Sequence, residues 1–249
     1  MPRQARSDEG LRRSALALDP DRIVHTIATL GRRIEERFPG SGLGRVCATL
    51  LDIAEGTRER LDWVERPNLW LRAATWLMAA LLVLVVVVAA GVLLQSLRTT
   101  GIGDPVDVLQ AVESSIQDTV FVAVALAFLL TLESRLKRKR ALGFIRELRA
   151  VAHLVDMHQL TKDPHRVAVS APDTASSPRR ELTPQELGRY LDYCSEMVSL
   201  TAKIAALYAQ RFDDAVVLQA VDEVEDLTTG IAGKTWQKIT MLEGRTPTG

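Results

Sequence analysis

The feature that most constrains the fold is an uncharged run from Ala73 to Leu97, whose central part reads WLMAALLVLVVVVAAGVLL. A helix needs about twenty predominantly apolar residues to cross a lipid bilayer. This run is long enough and almost wholly aliphatic, so it predicts a membrane span at about 73–95. Trp70 and Trp76 stand at its beginning, where indole side chains favour the headgroup region.

A second span is predicted from the stretch DTVFVAVALAFLLTLESRLKRKR, which begins at Asp118. Its uncharged part, Thr119–Leu132, has fourteen residues, fewer than the about twenty that a span needs. Extending the helix back to Val112 supplies the missing turns and brings Gln117 and Asp118 with it. Because the aliphatic residues offset an off-centre carboxylate, we predict a span at about 112–132.

Basic residues on either side of the two runs predict their orientation. Arginines precede the first run, a basic cluster follows the second, and the connection between them holds only Arg98. Lys and Arg gather on the cytoplasmic side of membrane proteins, so we predict a multi-pass inner-membrane protein with both termini cytoplasmic. The cluster after the second run is predicted to contact anionic lipid. It consists of Arg135, Lys137, Arg138, Lys139 and Arg140.

The rest of the chain has apolar residues spaced three and four apart, which predicts helices and little strand. The predicted fold class is therefore all-α, with a two-helix transmembrane hairpin and a cytoplasmic helical bundle assembled from the N- and C-terminal segments. In chain order we predict a flexible basic leader at 1–18, N-terminal cytoplasmic helices at 19–66, the hairpin at 67–134, a cytoplasmic extension of the second span at 135–160, a mobile linker at 161–182 and a C-terminal helical hairpin at 183–243.

Charge and cysteine content exclude several classes of partner and chemistry. The chain has 31 basic and 31 acidic residues, so no global field favours nucleic acid, which is not expected as a partner. Cys47 and Cys194 each lie in an apolar helical pattern, which is typical of buried free thiols. The sequence has no phosphate-binding glycine loop, GxSxG elbow or CxxC pair, so we expect neither a catalytic residue nor a cofactor.

One helical face near the second run is the candidate site. Glu113, Gln117 and Asp118 share a sector that continues to Phe121 and Phe128, because residues three and four apart lie on one face. One interpretation is an oligomeric pore, with carboxylates at the outer mouth and a phenylalanine constriction that gates by dewetting. The other is that this face packs on the first helix, whose small residues allow close approach. Those small residues are Ala79, Ala80, Ala89, Ala90 and Gly91.

Two further clusters of polar residues are candidate sites. His153 and Asp156 share a helical face while His158 turns away from it, so their side chains do not converge and no metal is expected. The acidic cluster of the last helix is predicted to be solvated or to pair with Arg146 and Arg149. It consists of Asp222, Glu223, Glu225 and Asp226.

The layout from Trp70 to Arg140 is similar to small two-span modules attached to bacterial nucleotide-sensing conflict systems. Two-span magnesium channels have a Gly-Met-Asn loop, whereas this connection reads TTGIGDP, and no family is assigned. The sequence predicts a non-enzymatic, membrane-anchored scaffold or signal-coupling module, a homo-oligomer whose bundle binds a cytoplasmic protein. The alternative is a homo-oligomeric ion channel or pore-forming effector.

Overall fold

A computed structural model describes residues 17–65, 69–99, 105–162, 164 and 182–243. In these ranges the regular structure is entirely helical, which confirms the predicted all-α fold class. The helices are α1 (Pro20–Arg37), α2 (Gly42–Glu65), α3 (Leu69–Thr99), α4 (Pro105–Leu160), α5 (Pro184–Arg211) and α6 (Ala215–Glu243). The chain divides into two compact units, which we call the bundle (Met1–Glu65 with Arg140–Gly249) and the apolar unit (Arg66–Lys139).

Helix α1 shows how local sequence sets the limits of an element. The Asp19 side chain accepts a hydrogen bond from the Asp21 amide (3.0 Å), and Pro20 occupies the first turn, where a missing amide proton costs little. The helix ends before Phe38, and Gly40 then adopts a positive φ of 66°, which glycine tolerates without strain. Its buried stripe is Ile23, Ile27, Leu30 and Ile34.

Helix α5 is the central element of the bundle, because it packs against α1, α2 and α6. Its start is fixed by a capping box, in which the Glu186 amide donates to the Thr183 hydroxyl and the Thr183 amide donates to the Glu186 carboxylate. A short turn then leads into α6, where Asp214 accepts from the amides of Val216 and Val217. The core also draws on α2 and on the last part of α4. Fully buried members include Leu50, Leu148, Met197, Ile204 and Val224.

The apolar unit is organised differently, because none of its described side chains is buried. Helix α3 and the first part of α4 carry large apolar side chains in contact with solvent. On α3 these are Leu69, Trp70, Trp76, Leu77, Leu81, Val83, Leu84, Val86, Val87 and Val88, and on α4 they are Ile116, Val120, Phe121, Val124 and Phe128.

Across the residues that the structure describes, no helix combines the length and the apolar character that crossing a membrane requires. In α4 the uncharged run has fourteen residues and follows the exposed polar side chains of Glu113 and Gln117.

This finding contradicts the two predicted spans at about 73–95 and 112–132, and with them the transmembrane hairpin. It also contradicts the predicted multi-pass inner-membrane location with both termini cytoplasmic. The predicted functions, a two-span membrane-anchored scaffold or an ion channel, are therefore wrong. Of the other predicted segments, residues 1–16 of the leader and 165–181 of the linker lie outside the described residues.

Candidate functional site

The exposed apolar side chains of the apolar unit form the most unusual surface that the structure describes. Val86, Val87 and Val88 are consecutive, and their exposed fractions are 47%, 61% and 54%. Successive residues of a helix point about 100° apart, so α3 presents apolar side chains on several sides. Contiguous apolar surface of this kind marks an interaction site.

The residues that the sequence placed on one face of the second run lie on α4. Glu113, Gln117, Phe121 and Phe128 are exposed, and the exposed fractions of the two phenyl rings are 65% and 56%. The side chain of Asp118 lies outside the described residues. Among the described residues, therefore, both phenylalanine side chains are more than half exposed.

The five basic residues predicted to contact anionic lipid also lie on α4 and follow the exposed apolar side chains. Arg135, Lys139 and Arg140 are exposed, whereas Lys137 and Arg138 are half-buried. Their contact with lipid stays a prediction.

The two histidines near the end of α4 are not brought together. His153 is exposed, and Asp156 accepts a hydrogen bond from Gln159 Nε2 (2.8 Å). Among the described residues, no three side chains of His, Cys, Asp or Glu converge as a metal site would require.

His158 packs instead against the first residue of α2. A Cβ atom added to Gly42 would overlap Cε1 of His158 and lie 3.0 Å from its Nε2. Burial lowers the pKa of His158, and the positive charges of Arg45 and Lys162 lower it further. The sequence offered one signal for this contact, a glycine at the start of a helix, but it could not identify the partner.

The two cysteines are free and buried, as the sequence predicts. Burial raises the pKa of the Cys47 thiol to about 11 and that of the Cys194 thiol to about 12. Because the thiolate is the reactive form, neither side chain is a nucleophile near neutral pH.

An open pocket of about 530 Å³ lies between α1 and α5. Arg33 lies over the Tyr193 ring (5.1 Å to its centroid) and donates two hydrogen bonds to the Glu196 carboxylate, at 2.8 and 3.2 Å. The hydrogen bonds to Glu196 raise the pKa of Arg33. Arg189 pairs with Asp192 at 3.4 Å. The lining also includes Arg37 and Glu36, so three arginines and one carboxylate border the pocket, and carboxylates outside the lining pair with Arg33 and Arg189.

A second pocket, of about 290 Å³, lies between the end of α4 and α6 and contains a buried polar network. The Gln159 Oε1 atom accepts from the Thr235 hydroxyl (2.9 Å), and the Gln159 carbonyl accepts from Lys238 Nζ (2.6 Å). Gln159 was not predicted as a site residue, although it continues the buried stripe of Leu148, Ala152 and Val155. These hydrogen bonds fix the end of α4 on α6.

Comparisons with models of protein families, with curated proteins and with solved structures find no match for this chain. The surfaces described above are therefore the basis for assigning it a function.

Proposed function

We propose that the chain is a non-enzymatic scaffold that assembles with copies of itself through the apolar unit. The observation that carries this proposal is the contrast in burial between the two units. None of the described side chains of residues 69–139 is buried, while fifteen large apolar ones are exposed. Covering apolar surface is favourable by about 25 cal/mol per Å², so a surface of this size favours association.

The shape of this surface favours further copies as the covering partner. The apolar side chains of α3 point in several directions, as Val86, Val87 and Val88 do, so one flat partner cannot cover them all. Several apolar helices packed around α3 can cover these side chains, and each further copy of the chain supplies one such helix. The run from Ala73 to Leu97 has no charge that would require an ionic partner.

The overall charge is compatible with assembly of identical chains. The 31 basic and 31 acidic residues cancel, so copies do not repel each other through a net charge near neutral pH. A net charge close to zero promotes association of proteins.

A non-catalytic role is supported by the state of the reactive groups in the bundle. The thiols of Cys47 and Cys194 have raised pKa values, and burial also raises the pKa of Tyr190. Arg33 is held by Glu196 in a surface ion pair. In the part of the chain that the structure describes, neither thiol forms a hydrogen bond with a His, Asp or Glu side chain that could act as its general base.

Sedimentation equilibrium of the full chain in buffer without detergent tests the proposal. We expect the mass of an assembly of several chains. Val87→Glu should raise the protein concentration needed for assembly at least tenfold, because burying the new carboxylate is unfavourable. Val216→Glu is the matched control, since Val216 is 43% exposed on α6 of the bundle. That variant should keep the native mass.

Two outcomes would overturn the proposal. The first is a native chain that is monomeric, or an assembly whose mass Val87→Glu and Val216→Glu change equally. The second is a monomer that floats with lipid vesicles, because lipid and not a second copy would then cover the apolar side chains.

A further inference from the structure

Exposed residues recur along α6 at intervals of four and three, so they share one face of the helix. The face is turned away from the core residues Val221, Val224 and Ile231. It consists of Gln219, Glu223, Asp226, Gly230, Gly233 and Gln237, all of which are exposed.

Two glycines lie in the middle of this face. A Cβ atom added to Gly230 or to Gly233 would meet no atom within 4 Å, so packing inside the chain does not require glycine there. Glycine is also less favourable than alanine in a helix interior. The absence of side chains does allow the backbone of a second helix to approach closely.

An acidic residue of the face and a basic residue beside the face lie at equal distances from Gly230. Asp226 lies four residues before it and Lys234 four residues after it, and both side chains are exposed. Neither of them forms an ion pair with another residue of the described ranges. An acidic and a basic group placed in this way complement a reversed copy of the same helix.

We propose that α6 pairs with α6 of a second copy, antiparallel, about a two-fold axis near Gly230. In this register Asp226 of each copy lies at the level of Lys234 of the other, which gives two opposite-charge pairs. Gln237 lies at the level of Glu223, whose carboxylate also accepts a hydrogen bond from Arg149 of its own chain (3.0 Å). The occupant of this face is therefore a second copy of the chain.

This contact lies on the bundle and does not rest on the proposed function of the apolar unit. If both contacts form, each chain has two separate surfaces for self-association. Such a chain builds an extended array, whereas one two-fold contact alone closes a dimer.

Disulfide trapping in the full chain tests the α6 contact by position. Gly230→Cys places a thiol at the axis, where the two Cα atoms come within reach of a disulfide. We expect it to form a cross-linked dimer on mild oxidation at least tenfold faster than Glu225→Cys. Glu225 is the matched control, because it is exposed on another side of the same helix. The native thiols of Cys47 and Cys194 are buried and do not interfere.

Charge reversal tests the register. In the Gly230→Cys background we expect Lys234→Glu to slow cross-linking on the order of tenfold, because two attractive pairs become repulsive. Adding Asp226→Lys should restore the rate, since the pairs are then re-formed with their signs exchanged.

Equal rates for Gly230→Cys and Glu225→Cys would overturn the proposed contact, and so would a double reversal that stays slow. The same measurement in the Val87→Glu chain separates this contact from the apolar unit. Cross-linking at position 230 should persist there, even if assembly through the apolar unit is lost or never occurs.

Discussion

The bundle and the apolar unit are both helical and both rich in aliphatic residues, yet only the bundle buries them within one chain. Leu50 of the bundle is fully buried, whereas Leu84 of the apolar unit is 57% exposed. Helices with one apolar stripe cover each other when they pack, and α1 is an example. Helix α3 is apolar on several sides, and none of its described side chains is buried. Hydrophobic content alone therefore does not predict burial; its distribution around the helix does.

The largest expected effect is the difference between matched leucine truncations in the two units. Leu50→Ala removes a side chain from the packed core and should lower the free energy of unfolding of the bundle by about 2–5 kcal/mol. Leu84→Ala should change it by less than about 0.5 kcal/mol, because this side chain is more than half exposed and lies outside the bundle. Urea unfolding followed by circular dichroism measures both. Equal losses would remove the contrast between the units.

Two glycine substitutions test the difference in packing between the two units at single residues. Gly42→Ala places a methyl group against the His158 ring and should destabilise the bundle by about 1–3 kcal/mol. Gly91→Ala in α3 is the control, since its added Cβ meets no atom within 4 Å. It should leave the unfolding of the bundle unchanged. If Gly42→Ala also has no effect, His158 does not pack as described.

The capping box of α5 should contribute less than the core. Thr183→Ala removes the hydroxyl that accepts from the Glu186 amide, and it should cost about 1 kcal/mol of stability. Thr240→Ala provides a control within a helix, because the Thr240 hydroxyl only donates to the Trp236 carbonyl. The thermal unfolding midpoint should fall for the first variant and stay within error for the second.

The smallest effect is a pH dependence from His158. Its pKa is lowered from the ordinary value of 6.5 in the folded chain, so folding favours the neutral ring. The stabilisation is complete above pH 6.5 and is lost as the pH falls through the folded pKa, because the unfolded chain takes up the proton first. Urea midpoints measured from pH 8 to pH 5 should therefore decline.

Two variants assign that decline to its source. His158→Gln should flatten the profile, and His153→Gln should leave it unchanged, since His153 is exposed. A decline that persists in His158→Gln would assign the pH dependence to other groups.

Much of the bundle could be predicted from periodicity and end signals. The stripe of α1, the capping box at Thr183 and the buried thiols of Cys47 and Cys194 all follow from patterns within one segment. Pairing with Arg149 was one of two alternatives for the acidic cluster, and the structure has this pair with Glu223 at 3.0 Å. Local patterns suffice where an element's own residues decide its burial and its ends.

The features that could not be predicted depend on which elements become neighbours. The contact of Gly42 with His158 joins α2 to the end of α4, and the bonds of Gln159 join α4 to α6. No pattern within a single helix identifies such a partner. The spans at about 73–95 and 112–132 were inferred from hydropathy and from the flanking basic and tryptophan residues, and the finding for the described helices contradicts them.

The contact of Gly42 with His158 also constrains how this sequence can vary. A chain with any side chain at position 42 cannot keep an imidazole at position 158 in the same place, because the Cβ and the ring would occupy one volume. Positions 42 and 158 should therefore change together among relatives of this protein, with a larger residue at one accompanied by a smaller residue at the other. That linkage would show from sequences alone that the start of α2 meets the end of α4.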